Sequence, residues 1–98
     1  MLARIWRTEV DPARLSDYER FAREKSLPMF RRQAGLVDVF FLKQETNCAV
    51  ITIWEDEESI EALARSATYR QTVREIEAAG FLRGAQSVEV YEIFEQMG

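Results

Sequence analysis

The chain predicts an α+β domain of β-α-β-β-α-β order, and three observations carry that reading. Two stretches repeat apolar residues at helical spacing. Four stretches are rich in β-branched and aromatic residues. The two central ones are joined by a few polar residues, as in a hairpin. This succession is the split βαβ arrangement called ferredoxin-like: a four-stranded antiparallel sheet with two helices on one face.

The first strand is expected over residues 2–10, with Leu2, Trp6 and Val10 on one face and Ala3 and Ile5 on the other. Asp11-Pro12 then offers an N-cap acceptor followed by proline at the first helical position, where its missing N–H costs nothing. Leu15, Tyr18, Phe21, Ala22 and Met29 define the apolar face of the first helix. Pro28 is expected to kink or end that helix near Leu27, with a further turn through Phe30 and Arg32. Gly35 closes the connection. Leu36 to Gln44 and Cys48 to Glu55 read as a hairpin around Glu45-Thr46-Asn47. Asp56 caps the second helix, whose Glu57 and Glu58 suit the positive end of its dipole. Ile60, Leu63, Ala64 and Ala67 give its apolar face. A break is expected at Ser66, beyond which Tyr69, Val73 and Ile76 continue on a shifted phase. Gly80 suits the helix end, with Phe81 and Leu82 folding back over the last turn, and the fourth strand is expected from Gln86 to Phe94.

Ninety-eight residues are expected to form one domain, 1–98, without room for a second. A hydrophobic fraction of 47% with 31% charged residues excludes a disordered chain. The longest apolar run, Val39-Phe40-Phe41-Leu42, has the length of a strand and not of a membrane helix. With no apolar leader ahead of the first strand, a cytoplasmic location without membrane contact is expected. A net charge of −4 with no basic stripe argues against nucleic acid. Cys48 is the single cysteine, a residue type that usually fills apolar space, and histidine is absent altogether. The commonest general base and the commonest metal ligand are thereby missing.

The strands are apolar on both faces. Val37, Val39 and Phe41 are expected to oppose Leu36, Phe40 and Leu42 in the second strand. In the third, Ala49, Ile51 and Ile53 oppose Cys48, Val50 and Trp54. In the fourth, Tyr91 and Ile93 oppose Val88, Val90 and Phe94. Two helices cover one side only, and a large exposed apolar patch is rare on a monomer. A second copy of the sheet is the expected cover, giving a homodimer packed face to face.

The run Ala49-Val50-Ile51-Thr52-Ile53-Trp54-Glu55-Asp56, followed by Glu58-Ser59-Ile60 and Ala62-Leu63, resembles the signature of the antibiotic biosynthesis monooxygenase superfamily. There an aliphatic strand ends in Trp, a polar cap follows, and a helix begins. Gly35-Leu36 and Tyr69-Arg70 fit the same pattern, and the resemblance spans Leu2 to Phe94. It implies a dimeric α/β barrel with a pocket between the sheet and helices of each subunit. It also implies cofactor-free oxidation of small aromatic, polyketide or quinol-type molecules by O₂. Haem-degrading members use a helix-two histidine, whereas residues 60–64 here read Ile-Glu-Ala-Leu-Ala. Many members have His before the aromatic that matches Tyr69, where this chain has Thr68. The only asparagine, Asn47, sits in the hairpin turn. These departures argue against haem degradation.

Carbanion chemistry with O₂ needs a dry pocket and groups that orient or stabilise the ionised substrate. Tyr18 and Tyr69 place hydroxyls on apolar helix faces, and Arg4 shares the Trp6 face of the first strand. These three are the candidate catalytic residues. Trp6, Phe21, Phe40, Thr52, Trp54 and Phe81 are the candidate substrate contacts. Simpler roles exist for each: aromatics fill cores and interfaces, tyrosine hydroxyls reach backbone or water, Arg4 pairs with Glu92, and Thr52 is an ordinary strand residue. The run Glu55-Asp56-Glu57-Glu58 fits a helix start better than a cation site, so no metal and no cofactor are expected. A cofactor-independent monooxygenase is the leading expectation. The alternative is a non-catalytic homodimer that binds a small molecule.

Overall fold

The elements form where their local chemistry directs. In the computed structural model, which describes residues 1–98, they run β1 (Leu2–Val10), α1 (Leu15–Phe21), α2 (Leu27–Arg31), β2 (Leu36–Gln44), β3 (Asn47–Trp54), α3 (Glu57–Arg65), α4 (Ala67–Ala79) and β4 (Leu82–Glu92). All strands pair antiparallel in the order β2-β3-β1-β4, and the helices lie on one face. No helix is long and apolar enough to cross a membrane.

Asp11 accepts the Ala13 N–H at 3.0 Å and opens a short 3-10 turn over Pro12–Arg14 that leads into α1. Pro28 does not end the helical run. A π-helical segment at Ala22–Ser26 comes before it, and α2 continues to Arg31. Proline lacks the N–H of an α-helical bond and its ring crowds the preceding turn. The wider π turn upstream is where the hydrogen-bond ladder changes, a common accommodation.

Asp56 accepts both the backbone N–H and the hydroxyl of Ser59, at 2.9 and 2.7 Å, and starts α3. Ser66 is extended, with ψ 127°, so it ends α3 and caps α4 through the Tyr69 N–H. Gly80 closes α4 at φ 78°, a left-handed conformation that favours glycine. The guanidinium of Arg14 donates to the Ala79 carbonyl at 2.6 Å and fixes this end to α1. Gly35 is also left-handed, at φ 81°, and a Cβ there would lie 1.9 Å from Ser59 Oγ, so β2 starts in close contact with α3.

Two bulges change the reading of the strands. Leu36 pairs with Trp54 and Asp38 with Ile53, which leaves Val37 as an extra residue. Leu36 therefore joins Val39 and Phe41 in the core, and Val37 is half exposed, as are Phe40 and Leu42. The expected grouping of Val37 with Val39, and of Leu36 with Phe40, is corrected by this one-residue shift. On β4, Arg7 pairs with Ser87 but Glu9 with Arg83, so Gly84, Ala85 and Gln86 bulge opposite Thr8. Gly84 takes φ 64° there. The strand accordingly begins at Leu82, four residues before the expected start, and Phe94 lies beyond its end, almost fully exposed.

On the helix side, Met29, Phe30, Val50, Trp54 and Leu63 form one buried cluster, and Val10, Tyr18, Cys48 and Phe81 form another. Trp6 packs against both. Full burial of side chains such as Trp54 and Leu63 contributes about 1.5–3 kcal/mol each. The other sheet face carries Ala3, Ile5, Ala49, Ile51 and Ile53 with no element over it.

Candidate active site

A cavity of about 260 Å³ opens between the sheet and the helical layer, where the two core clusters meet. Strand alternation brings Arg4, Trp6 and Val50 to its floor, because Arg4 pairs with Val90, and Trp6 with Val50 and Val88, across the sheet. Tyr18, Ala22 and Ser26 approach from the first helical run. Tyr69, Thr72, Val73 and Ile76 follow at helical spacing along α4. Most of the lining is apolar, and it contains no histidine and no cysteine.

The polar groups are few and placed with definite geometry. Arg4 Nη2 donates to the Tyr69 hydroxyl at 2.9 Å, and the guanidinium carbon lies 5.7 Å from the Tyr69 ring centroid. Arg4 makes no ion pair. Glu92 sits across from Leu2, so the expected alternative of an Arg4–Glu92 pair is not formed. Tyr18 is 5% exposed and packs edge-on against Phe81 with ring centroids 5.9 Å apart; its hydroxyl makes no hydrogen bond within the chain and is open to the cavity, since no sealed side-chain polar atom lacks a partner. Burial raises the Tyr18 phenol well above its ordinary range, with Cys48 nearby adding to the effect, so the hydroxyl stays protonated.

Of the sequence candidates, Arg4, Trp6, Tyr18 and Tyr69 meet at the cavity and the others do not. Phe40 lies on the opposite sheet face, 47% exposed. Thr52 and Trp54 share the correct face but are fully buried beneath the helices, where Trp54 Nε1 donates to Thr52 Oγ1 at 2.8 Å. Phe81 and Phe21 pack edge-on with each other behind Tyr18. Residues that sequence reasoning missed include Thr72, Glu77, Gln86 and Val88. Thr72 and Glu77 follow from continuing the Tyr69 helical phase. Gln86 is brought in by the β4 bulge, which has no clear local signal.

A helix-covered antiparallel sheet of this order is the fold of solved antibiotic biosynthesis monooxygenases, and the likeness is one of fold. A protein of unknown function from Nitrosomonas europaea superposes with a TM-score of 0.80 at 22% identity, covering 98% of this chain and 91% of that one. A protein from Caulobacter crescentus, provisionally assigned as an antibiotic biosynthesis monooxygenase, gives 0.81 at 11% identity over 96% and 90% of the two chains. A variant of SnoaB, a cofactor-independent oxygenase from Streptomyces nogalater, gives 0.72 at 16% identity over 98% and 95%. No protein-family sequence model matches the chain, nor does any curated protein at the sequence level.

Proposed function

We propose that this protein is a cofactor-independent monooxygenase for a small aromatic, polyketide or quinol-type molecule, with Arg4, Tyr18 and Tyr69 contacting the substrate. The observation that carries this reading is the hydrogen-bonded Arg4–Tyr69 pair facing an otherwise apolar cavity. A carbon acid beside an aromatic carbonyl gives its proton to solvent water and becomes an enolate, which a guanidinium stabilises strongly in a low-dielectric site. Its electrons pass to O₂ as the new C–O bond forms, and loss of water from the hydroperoxide leaves a carbonyl. Each methylene thus consumes one O₂ and releases one water. The SnoaB likeness in fold supports the class of reaction. Oxygen-electrode assays with hydroxynaphthoquinols and quinols, and with three-ring anthrones as the larger comparison, test it. Substrate-dependent O₂ uptake that falls in Arg4→Met is expected, and no uptake across the panel would overturn it.

A second reading is a non-catalytic homodimer that binds a small molecule. It is favoured by the absence of histidine and cysteine from the cavity lining, which leaves no ordinary general base on its floor. In both readings the bare sheet face joins two copies. Val37, Phe40, Leu42 and Tyr91 are each about half exposed there, and Ile5, Ile51 and Ile53 extend the apolar surface between them. Native mass spectrometry at twice the 11.4 kDa chain mass is the expected result.

A further inference from the structure

We infer that the cavity selects an aromatic monoanion of one or two rings, its charged oxygen against Arg4 and Tyr69 and a second oxygen on Tyr18. This deepens the functional reading above and rests on it for the choice of cavity. A guanidinium carries five N–H donors and no acceptor. The only side-chain hydrogen bond of Arg4 goes to the Tyr69 oxygen, so its other donors are unused. Tyr69 accepts that bond, and its own O–H has no acceptor within the chain. Tyr18 is buried as a residue, and its hydroxyl, which makes no hydrogen bond within the chain, is open to the cavity. Three polar groups at the cavity therefore offer donors together, and a ligand that meets them must supply oxygen acceptors.

Charge narrows the class. Arg4 is half-buried with no carboxylate within ion-pair distance, so an anion that enters the site gains a charge-assisted bond without displacing another. Glu77 is the one carboxylate on the lining, and it is exposed, at the mouth. Its repulsion disfavours a second negative charge on the ligand. Size narrows it further, because about 260 Å³ lies just below the roughly 300–1,000 Å³ of clefts for drug-sized ligands. The titratable groups facing the ligand are Arg4, Tyr18, Tyr69 and Glu77.

The shared chemistry, an anionic oxygen on an aromatic frame, arises from an enolate or from a carboxylate. Calorimetric titration of the full chain with hydroxynaphthoquinone, its neutral methyl ether, naphthoate and a hydroxyanthraquinone separates these sources. The expected result is that hydroxynaphthoquinone binds about tenfold to a hundredfold tighter than the ether, as one charge-assisted bond implies. That preference should vanish as pH falls below the ligand's own ionisation, collapse in Arg4→Met and be partly kept in Arg4→Lys. Tyr18→Phe should weaken both quinones alike, and the three-ring ligand should bind worst. Equal binding of anion and ether by the unaltered chain overturns the inference without recourse to any variant. So does an anion preference that survives in Arg4→Met. Arg4-dependent binding of naphthoate alone upholds the monoanion site and removes the oxygenase reading. O₂ uptake with a neutral substrate, indifferent to charge, does the reverse.

Discussion

The Arg4 guanidinium on β1 donates to the Tyr69 hydroxyl on α4 at 2.9 Å, and this bond at the cavity joins two residues 65 apart in sequence. Tyr69 is held by Ser66, whose hydroxyl caps the Tyr69 N–H and whose extended backbone breaks the helix just ahead of it. The break therefore has a positional consequence, because it sets the phase on which Tyr69 faces the sheet. Tyr69→Phe deletes the acceptor and keeps the ring. A stability loss of about 0.5–1.5 kcal/mol is expected from one hydrogen bond, read by chemical denaturation. Affinity for an anionic aromatic should fall more clearly than stability, since Arg4 loses its anchor.

Thr52 and Trp54 form a different kind of pair. Both are fully buried, and the indole N–H has only the Thr52 hydroxyl to donate to. Thr52→Val keeps the shape and leaves that donor unpaired, a loss of about 1–3 kcal/mol. For a domain of this size the melting temperature should drop by roughly 4–8 °C per kcal/mol. Thr52→Ser should retain most of the stability. Ligand binding by the folded fraction should be unchanged, because neither residue lines the cavity.

Phe40 tests the bare sheet face. Phe40→Asp puts a charge amid Ile51, Leu42 and Val37 while leaving the helix-side core untouched. Sedimentation should report a monomer with an unaltered far-ultraviolet spectrum. A variant that still sediments as the unaltered chain would place the association elsewhere.

Acid titrates the cap of α3. The Ser59 hydroxyl, and then the Ser59 N–H, hold the Asp56 carboxyl below its ordinary range. A folded-state pKa below the unfolded one means that Asp56 stabilises the fold above the usual carboxylate pKa. That contribution disappears as pH falls through the folded value. Asp56→Asn should therefore flatten the acid limb of a stability-against-pH curve below about pH 4 and leave its neutral region nearly parallel.

The local punctuation of the fold was legible in the residues. Asp11-Pro12, Asp56, Ser66 and Gly80 act through their own side chains or backbone freedom, and the structure uses each at the expected place. The bulges were not legible, because an extra residue in a strand is defined by its neighbour's register and leaves composition unchanged. The same limit explains the site. Alternation correctly put Thr52 and Trp54 on the helix side, but only packing decides that helices close over them and leave Trp6 and Arg4 open. Pro28 marks the irregularity expected of it: the regular helix gives way to a π turn just upstream, and a further short helix runs to Arg31.

The extra residue at Val37 also localises where β2 tolerates a change in length. Deleting Val37 would join Leu36 to Asp38 in unbroken alternation, and every later side chain would keep its present face. Deleting any residue from 39 to 42 would instead turn the remainder of the strand over, exchanging Phe41-type core positions for Phe40-type surface ones. A single codon lost at the start of this strand is absorbed, and the same loss three codons later inverts it.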